Sequence, residues 1–137
     1  MSQAYQRPLP QLDELNTAFW TGGENGKLMI QRCAHCRHWQ HPPQTVCVKC
    51  YSRDLAAEPV SGKGTIYSYT VNVQKWHPDL AKPYVIAIVE LDEQPRLLVS
   101  SNLVGVDPAK AQIGQKVEVL FERDEDIWLP LFQPSGG

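Results

Sequence analysis

Residues 33–50 read CAHCRHWQHPPQTVCVKC and hold all four cysteines of the 137-residue chain. Cys33 and Cys36 form one Cys-x-x-Cys pair, and Cys47 and Cys50 form the other. Each such turn aims two thiolates at a common point, and two turns facing each other complete a tetrahedron around Zn²⁺. Four thiolates fill the coordination sphere and leave no position for substrate water. The expected site is therefore structural, and its binding free energy is largely folding free energy of the module. A thioredoxin-like redox site needs a single pair opening a helix in an α/β fold, and no βαβ pattern is present. Iron–sulfur proteins use other spacings, which leaves iron as a substitute metal in recombinant material.

His35, His38 and His41 lie in the same stretch. With four cysteines sufficient, they are expected on the loop surface or with a ring N–H on a backbone carbonyl. Trp39 is expected to cover the knuckle with its apolar face, and HPPQ (41–44) to make a rigid turn.

On the N-terminal side, Leu12, Leu15 and Phe19 share a helical face, and Asp13 and Glu14 suit a first turn. TGGENG (21–26) is expected to stop this helix, since glycine suits the left-handed position just past a helix end. Its apolar face, enlarged by Trp20, either packs on its own domain or docks on a partner. KLMIQRC (27–33) reads as a strand entering the first cysteine pair.

On the C-terminal side, EPVSGKGT (58–65) reads as a turn-rich link, after which the pattern is all-β. In TIYSYTVNV (65–73), Tyr67, Tyr69, Val71 and Val73 alternate with small or polar residues, the period of a half-buried strand, and core packing is the simpler reading of both tyrosines. PYVIAIVELD (83–92) is nearly continuous in apolar residues, as for a strand buried on both faces. PRLLVSSNLV (95–104) is the third strand, and Glu93 and Gln94 leave room for a tight hairpin before it. QKVEVLFER (115–123) and IWLPLFQP (127–134) are the last two, with Pro130 demoting the final strand to an edge or bulge. The chain is thus expected to be mainly β: an N-terminal arm and helix (1–26), a rubredoxin-like zinc ribbon (27–58) and a five-stranded OB-fold barrel (59–137). An SH3-like barrel is the rival.

Hydrophobic residues make up 42% and charged residues 20%, enough apolar surface for a core, which argues against a disordered chain. A net charge of −2 counts against general binding to a phosphate backbone. No secretory pattern opens the chain and no apolar run is long enough to span a membrane, so a cytoplasmic protein with reduced thiols is expected.

No nucleophile constellation is legible. Ser61, Ser68, Ser100 and Ser101 lack a Gly-x-Ser-x-Gly setting, SGKGT (61–65) lacks the phosphate-loop spacing, and Asp124–Glu125–Asp126 reads as a solvated turn. The loop QKWHPDLAKPY (74–84) carries Lys75, Trp76, His77 and Lys82. An exposed aromatic flanked by cations suits an adenine ring and phosphates; the alternative is that Trp76 closes the barrel end.

The order of LMIQRCAHC, a Pro-Pro turn, VCVKC, VSGKGTIYSYTV, PYVIAIVELDE, LVGVD and IGQKVEVLFE resembles the zinc-ribbon plus OB-fold proteins associated with acyl-CoA enzymes, over about Phe19 to Pro134. The resemblance implies a non-catalytic accessory subunit in a hetero-oligomer. Its partner would be a thiolase-like enzyme (thiolase, acyltransferase or aldolase), with a hot-dog-fold hydratase joined in some members. It carries the metal ligands onto Cys33, Cys36, Cys47 and Cys50 and allows a share in holding coenzyme A, for which Lys75, Trp76 and His77 are the candidates here. The alternative is a single-stranded nucleic-acid binder, since zinc ribbons and OB folds also do that work. A standalone enzyme ranks last.

Overall fold

The computed structural model describes residues 11–72 and 84–135. The arm at 1–10 and most of the 74–84 loop, including Lys75, Trp76, His77 and Lys82, lie outside the described residues. Two β units follow a short helix. Strands β1 (Leu28–Cys33), β2 (Trp39–Gln40) and β3 (Leu55–Val60) form an antiparallel sheet in the order β2-β1-β3. Strands β4 (Lys63–Asn72), β5 (Tyr84–Leu91), β6 (Leu98–Leu103), β7 (Lys116–Asp124) and β8 (Ile127–Pro134) close a barrel in the order β4-β5-β6-β8-β7. The chain is mainly β: one short N-terminal helix, a zinc-ribbon cysteine cluster, then a closed five-stranded barrel of OB type. Strand β8 pairs with β7 along its length but meets β6 at a single registered pair, Leu103 with Phe132. One side of β8 therefore carries few ladder bonds, the setting in which a proline such as Pro130 is tolerated.

One core runs through both units. Phe19 of the helix, Leu28 and Ile30 of β1 and Trp39 of β2 join Ile66, Val85, Val89, Val99, Val117 and Phe132 of the barrel in a single buried cluster. At roughly 25 cal/mol per Å² of apolar surface removed from water, this shared burial is what seats the ribbon on the barrel.

The helix is shorter than its apolar spacing predicts. Helix α1 spans Thr17–Thr21 and continues as a 3₁₀ turn over Gly22–Asn25. The Asp13 side chain accepts from the N–H groups of Leu15 and Asn16 and closes the turn that leads into the helix. The packing alternative resolves toward the chain's own core, for Phe19 is buried, though Leu15 remains 41% exposed. The glycines also do more than stop a helix. Gly26, at φ 69°, is the left-handed cap, whereas a Cβ on Gly23 would lie 2.6 Å from the Phe121 ring and 2.7 Å from Trp128 Cβ. Gly23 is what lets this turn lie directly on β7 and β8.

Four further expectations change. The stretch 58–65 is not a link: β3 runs through Val60 in register with Leu28, and only Ser61 and Gly62 separate it from β4. Tyr67 is not core but 48% exposed, because β4 bulges between Ile66 and Ser68. The extra residue shifts the inward phase from Ile66 to Tyr69 and Val71. Strand β5 is not buried on both faces: Val85, Ala87, Val89 and Leu91 point inward while Ile86 is 40% exposed. The β5–β6 connection is not a tight hairpin but spans residues 92–97, since Pro95 has no N–H to give a ladder.

Candidate metal centre

The two Cys-x-x-Cys turns have matching geometry. Arg37 N–H donates to Cys33 O at 3.0 Å and Tyr51 N–H to Cys47 O at 2.9 Å. His35 and Cys36 N–H groups point at Cys33 Sγ (3.3 and 3.5 Å), and those of Lys49 and Cys50 at Cys47 Sγ (3.3 and 3.5 Å). Closing each turn puts the residue after the second cysteine at positive φ, 65° for both Arg37 and Tyr51. The ribbon sheet holds the turns together: Cys33 ends β1 opposite Leu55 of β3, and Ala34 N–H donates to Asp54 O at 2.8 Å.

All four Sγ atoms lie within 4.8 Å of one another, with Cys33–Cys50 and Cys36–Cys47 at 3.6 Å. A tetrahedral Zn²⁺ at a Zn–S distance of about 2.3 Å requires S···S edges of about 3.8 Å. The cluster has that size, so the residues present fit the ion. Cys33 and Cys47 are fully buried; Cys36 and Cys50 are exposed.

The thiols are not equivalent. The Cys36 N–H holds Cys33 below the usual thiol range against the opposing effect of burial. The Cys50 N–H does the same for Cys47, bringing it down to about 6. Cys50 receives a lowering hydrogen bond from Ser52, yet partial desolvation of its thiol inside the cluster and its three neighbouring cysteines together push it up to about 11. To carry all four sulfurs as thiolates, a cluster this tight would need a divalent cation among them.

The surroundings fix the knuckles through amides whose role was not legible in the sequence. Gln40, 6% exposed, donates to Gln31 Oε1 and Val46 O and accepts from Val48 N–H. Gln31 in turn binds both backbone groups of Gln44, which pins the Pro-Pro turn. Their cue was positional, since Gln31 and Gln40 are direct partners across β1 and β2. Trp39 is buried in the shared core, with the Arg32 guanidinium 4.4 Å over its ring. His35 is exposed as expected. His41 is not loop surface: its ring stacks on Phe19 at 4.6 Å, and burial pushes its pKa down to about 4. The structure brings the four cysteines together and leaves Lys75, Trp76 and His77 outside its described residues. Among those residues no helix is long and apolar enough to cross a membrane.

The family profile described as ChsH2, rubredoxin-like zinc ribbon domain, matches residues 20–56, and that described as ChsH2, C-terminal OB-fold domain, matches residues 57–122. The "Probable enoyl-CoA hydratase alpha subunit" of Thermomonospora curvata is 39% identical over 130 residues, which are 94% of this chain and 40% of that protein. This chain thus spans about two fifths of the length of that relative. A "DUF35 domain-containing scaffold protein" of Methanothermobacter thermautotrophicus is 38% identical over 95 residues, covering 67% of this chain and 69% of that one. A solved structure titled "Ltp2-ChsH2(DUF35) aldolase" superposes with a TM-score of 0.82 at 36% identity, covering 92% of this chain and 98% of that chain.

Proposed function

The chain belongs to the ChsH2/DUF35 family of zinc-ribbon and OB-fold proteins, and from that premise we propose that it is a non-catalytic accessory subunit of an acyl-CoA-processing enzyme. The observation that carries this reading is the match, along almost its whole length, to one chain of the solved "Ltp2-ChsH2(DUF35) aldolase". The chemistry of the site supports it. Cys33, Cys36, Cys47 and Cys50 would hold a structural Zn²⁺, and a sphere closed by four thiolates offers no position for an activated water. The bound ion would supply charge balance and a crosslink; the protein's own groups orient the thiolates and tie the knuckles to the barrel. Catalysis then falls to a partner. The proposed partner is a thiolase-fold enzyme, an aldolase of the Ltp2 type being the first choice, with coenzyme A held by that partner and shared at most with Lys75, Trp76 and His77 of this chain.

The test is to produce an Ltp2-type aldolase chain with and without this protein. Co-elution as one hetero-oligomer, with activity that depends on both chains, is expected. An aldolase chain that is soluble and fully active alone, with no complex formed, would refute the reading.

A further inference from the structure

A cleft of about 400 Å³ opens where the ribbon meets the β5–β6 connection. Its ribbon side carries His38, Pro42 and Val48, and its barrel side carries Gln94, Pro95 and Arg96. No carboxylate lines it.

Arg96 is the unusual residue. Gln94, Pro95, Arg96 and Leu97 form a turn closed by Leu97 N–H to Gln94 O at 3.2 Å. Proline at the second position and positive φ at the third is the type II pattern, in which glycine is the usual third residue. Here that residue is an arginine at φ 62°. Its backbone N–H donates to the Glu90 carboxylate at 2.9 Å, which holds the turn in this conformation. Among the described residues the guanidinium itself has neither ion pair nor hydrogen bond. A strained backbone position thus presents to a cleft a cation unpaired among the described residues, the kind of outlier that points to function.

We propose that this cleft receives a carboxylate-bearing segment of the partner enzyme subunit, with Arg96 as the ionic anchor and Val48 as the apolar lip. The proposal rests on the accessory-subunit reading above. Charge complementarity selects an anionic occupant, and the lining selects its class. One guanidinium beside two prolines and a valine that is 57% exposed suits a side-chain carboxylate flanked by apolar residues. A polyphosphate would gather several cations and backbone N–H groups.

Arg96→Gly tests this without threatening the fold, because glycine prefers the same φ. The variant is expected to melt at or above the wild-type temperature while its affinity for an Ltp2-type aldolase chain falls by about tenfold or more. Arg96→Asn, which also tolerates positive φ, should behave in the same way, and millimolar free coenzyme A should leave the wild-type complex intact. Arg96→Gly binding within about twofold of wild type would overturn the proposal, as would displacement by coenzyme A, which would make the anion a phosphate. A wild-type chain that forms no complex at all would overturn the accessory-subunit reading and this proposal with it, an outcome distinct from a complex indifferent to residue 96.

Discussion

The side-chain amide of Gln94 holds both backbone groups of Trp39: Oε1 accepts from the Trp39 N–H at 3.0 Å, and Nε2 donates to the Trp39 C=O at 2.9 Å. The two residues lie in different units, Trp39 in β2 of the ribbon sheet and Gln94 in the β5–β6 connection of the barrel. The amide thus acts as one more strand rung across the seam. Beside it, Glu93 accepts from the Ser61 N–H at 2.7 Å, at the turn joining the two units. This seam fixes the orientation of the ribbon to the barrel, which the proposed role of gripping a partner requires.

Gln94→Ala should therefore cost about 1–3 kcal/mol, since it leaves two partly buried backbone groups of Trp39 without partners. Gln94→Glu, which keeps the acceptor for the N–H but sets a carboxylate against the C=O, should also destabilise. Urea unfolding of the three proteins, followed by tryptophan fluorescence, measures both effects. Midpoints equal to wild type would show that the seam is held by apolar packing alone.

Removing the metal should be far more disruptive than removing any one hydrogen bond. Zinc analysis of the purified protein is expected to find one ion per chain, and Cys47→Ser to lose it with a large drop in thermal stability. A Cys47→Ser protein that stays folded and metal-free, with an unchanged melting temperature, would contradict a structural ion.

His41 should make the protein acid-sensitive. Its folded pKa, pushed to about 4 by burial, lies below an unfolded value of about 6.5. The unfolded chain therefore binds more protons between these values. Stability from this residue is fully present above pH 6.5 and declines as pH falls toward 4, by about 3 kcal/mol over the window. In His41→Phe, which keeps the stack on Phe19, the decline should be shallower by that amount. Both proteins share the cysteine cluster, so the difference between their pH profiles isolates the imidazole. Identical profiles would remove His41 as the cause.

The bulge in β4 makes opposite predictions for adjacent residues. Ile66→Ala should cost about 2–5 kcal/mol, because the side chain is 1% exposed in the core. Tyr67→Ser should change stability by less than about 1 kcal/mol. Thermal denaturation of the pair decides it: a larger loss at Tyr67 would restore the inward phase that simple alternation suggests.

At Gly23, a methyl group would meet the Phe121 ring and Trp128 Cβ inside van der Waals contact. Gly23→Ala is expected to destabilise by about 1–3 kcal/mol through displacement of the N-terminal turn from β7 and β8. Melting within about 1 °C of wild type would show that the turn yields without cost.

The sequence by itself determined the local grammar. The two Cys-x-x-Cys turns close through backbone bonds within a few residues, so their spacing alone predicted the sulfur cluster. The barrel strands were legible because period-2 patterning and turn residues are also local. The tertiary structure decided what depends on pairs far apart in the chain. That Tyr67 faces out follows from a bulge set by register against β5, which no property of residues 65–73 encodes. That His41 is half-buried against a ring follows from Phe19 reaching it from the helix. That Gln94 is a clamp and that Arg96 lines a cleft follow from the ribbon being seated beside the β5–β6 connection. Each of these depends on a neighbour more than 20 residues away, or on the space such a neighbour leaves, and side-chain chemistry becomes a role only when that neighbour is in place.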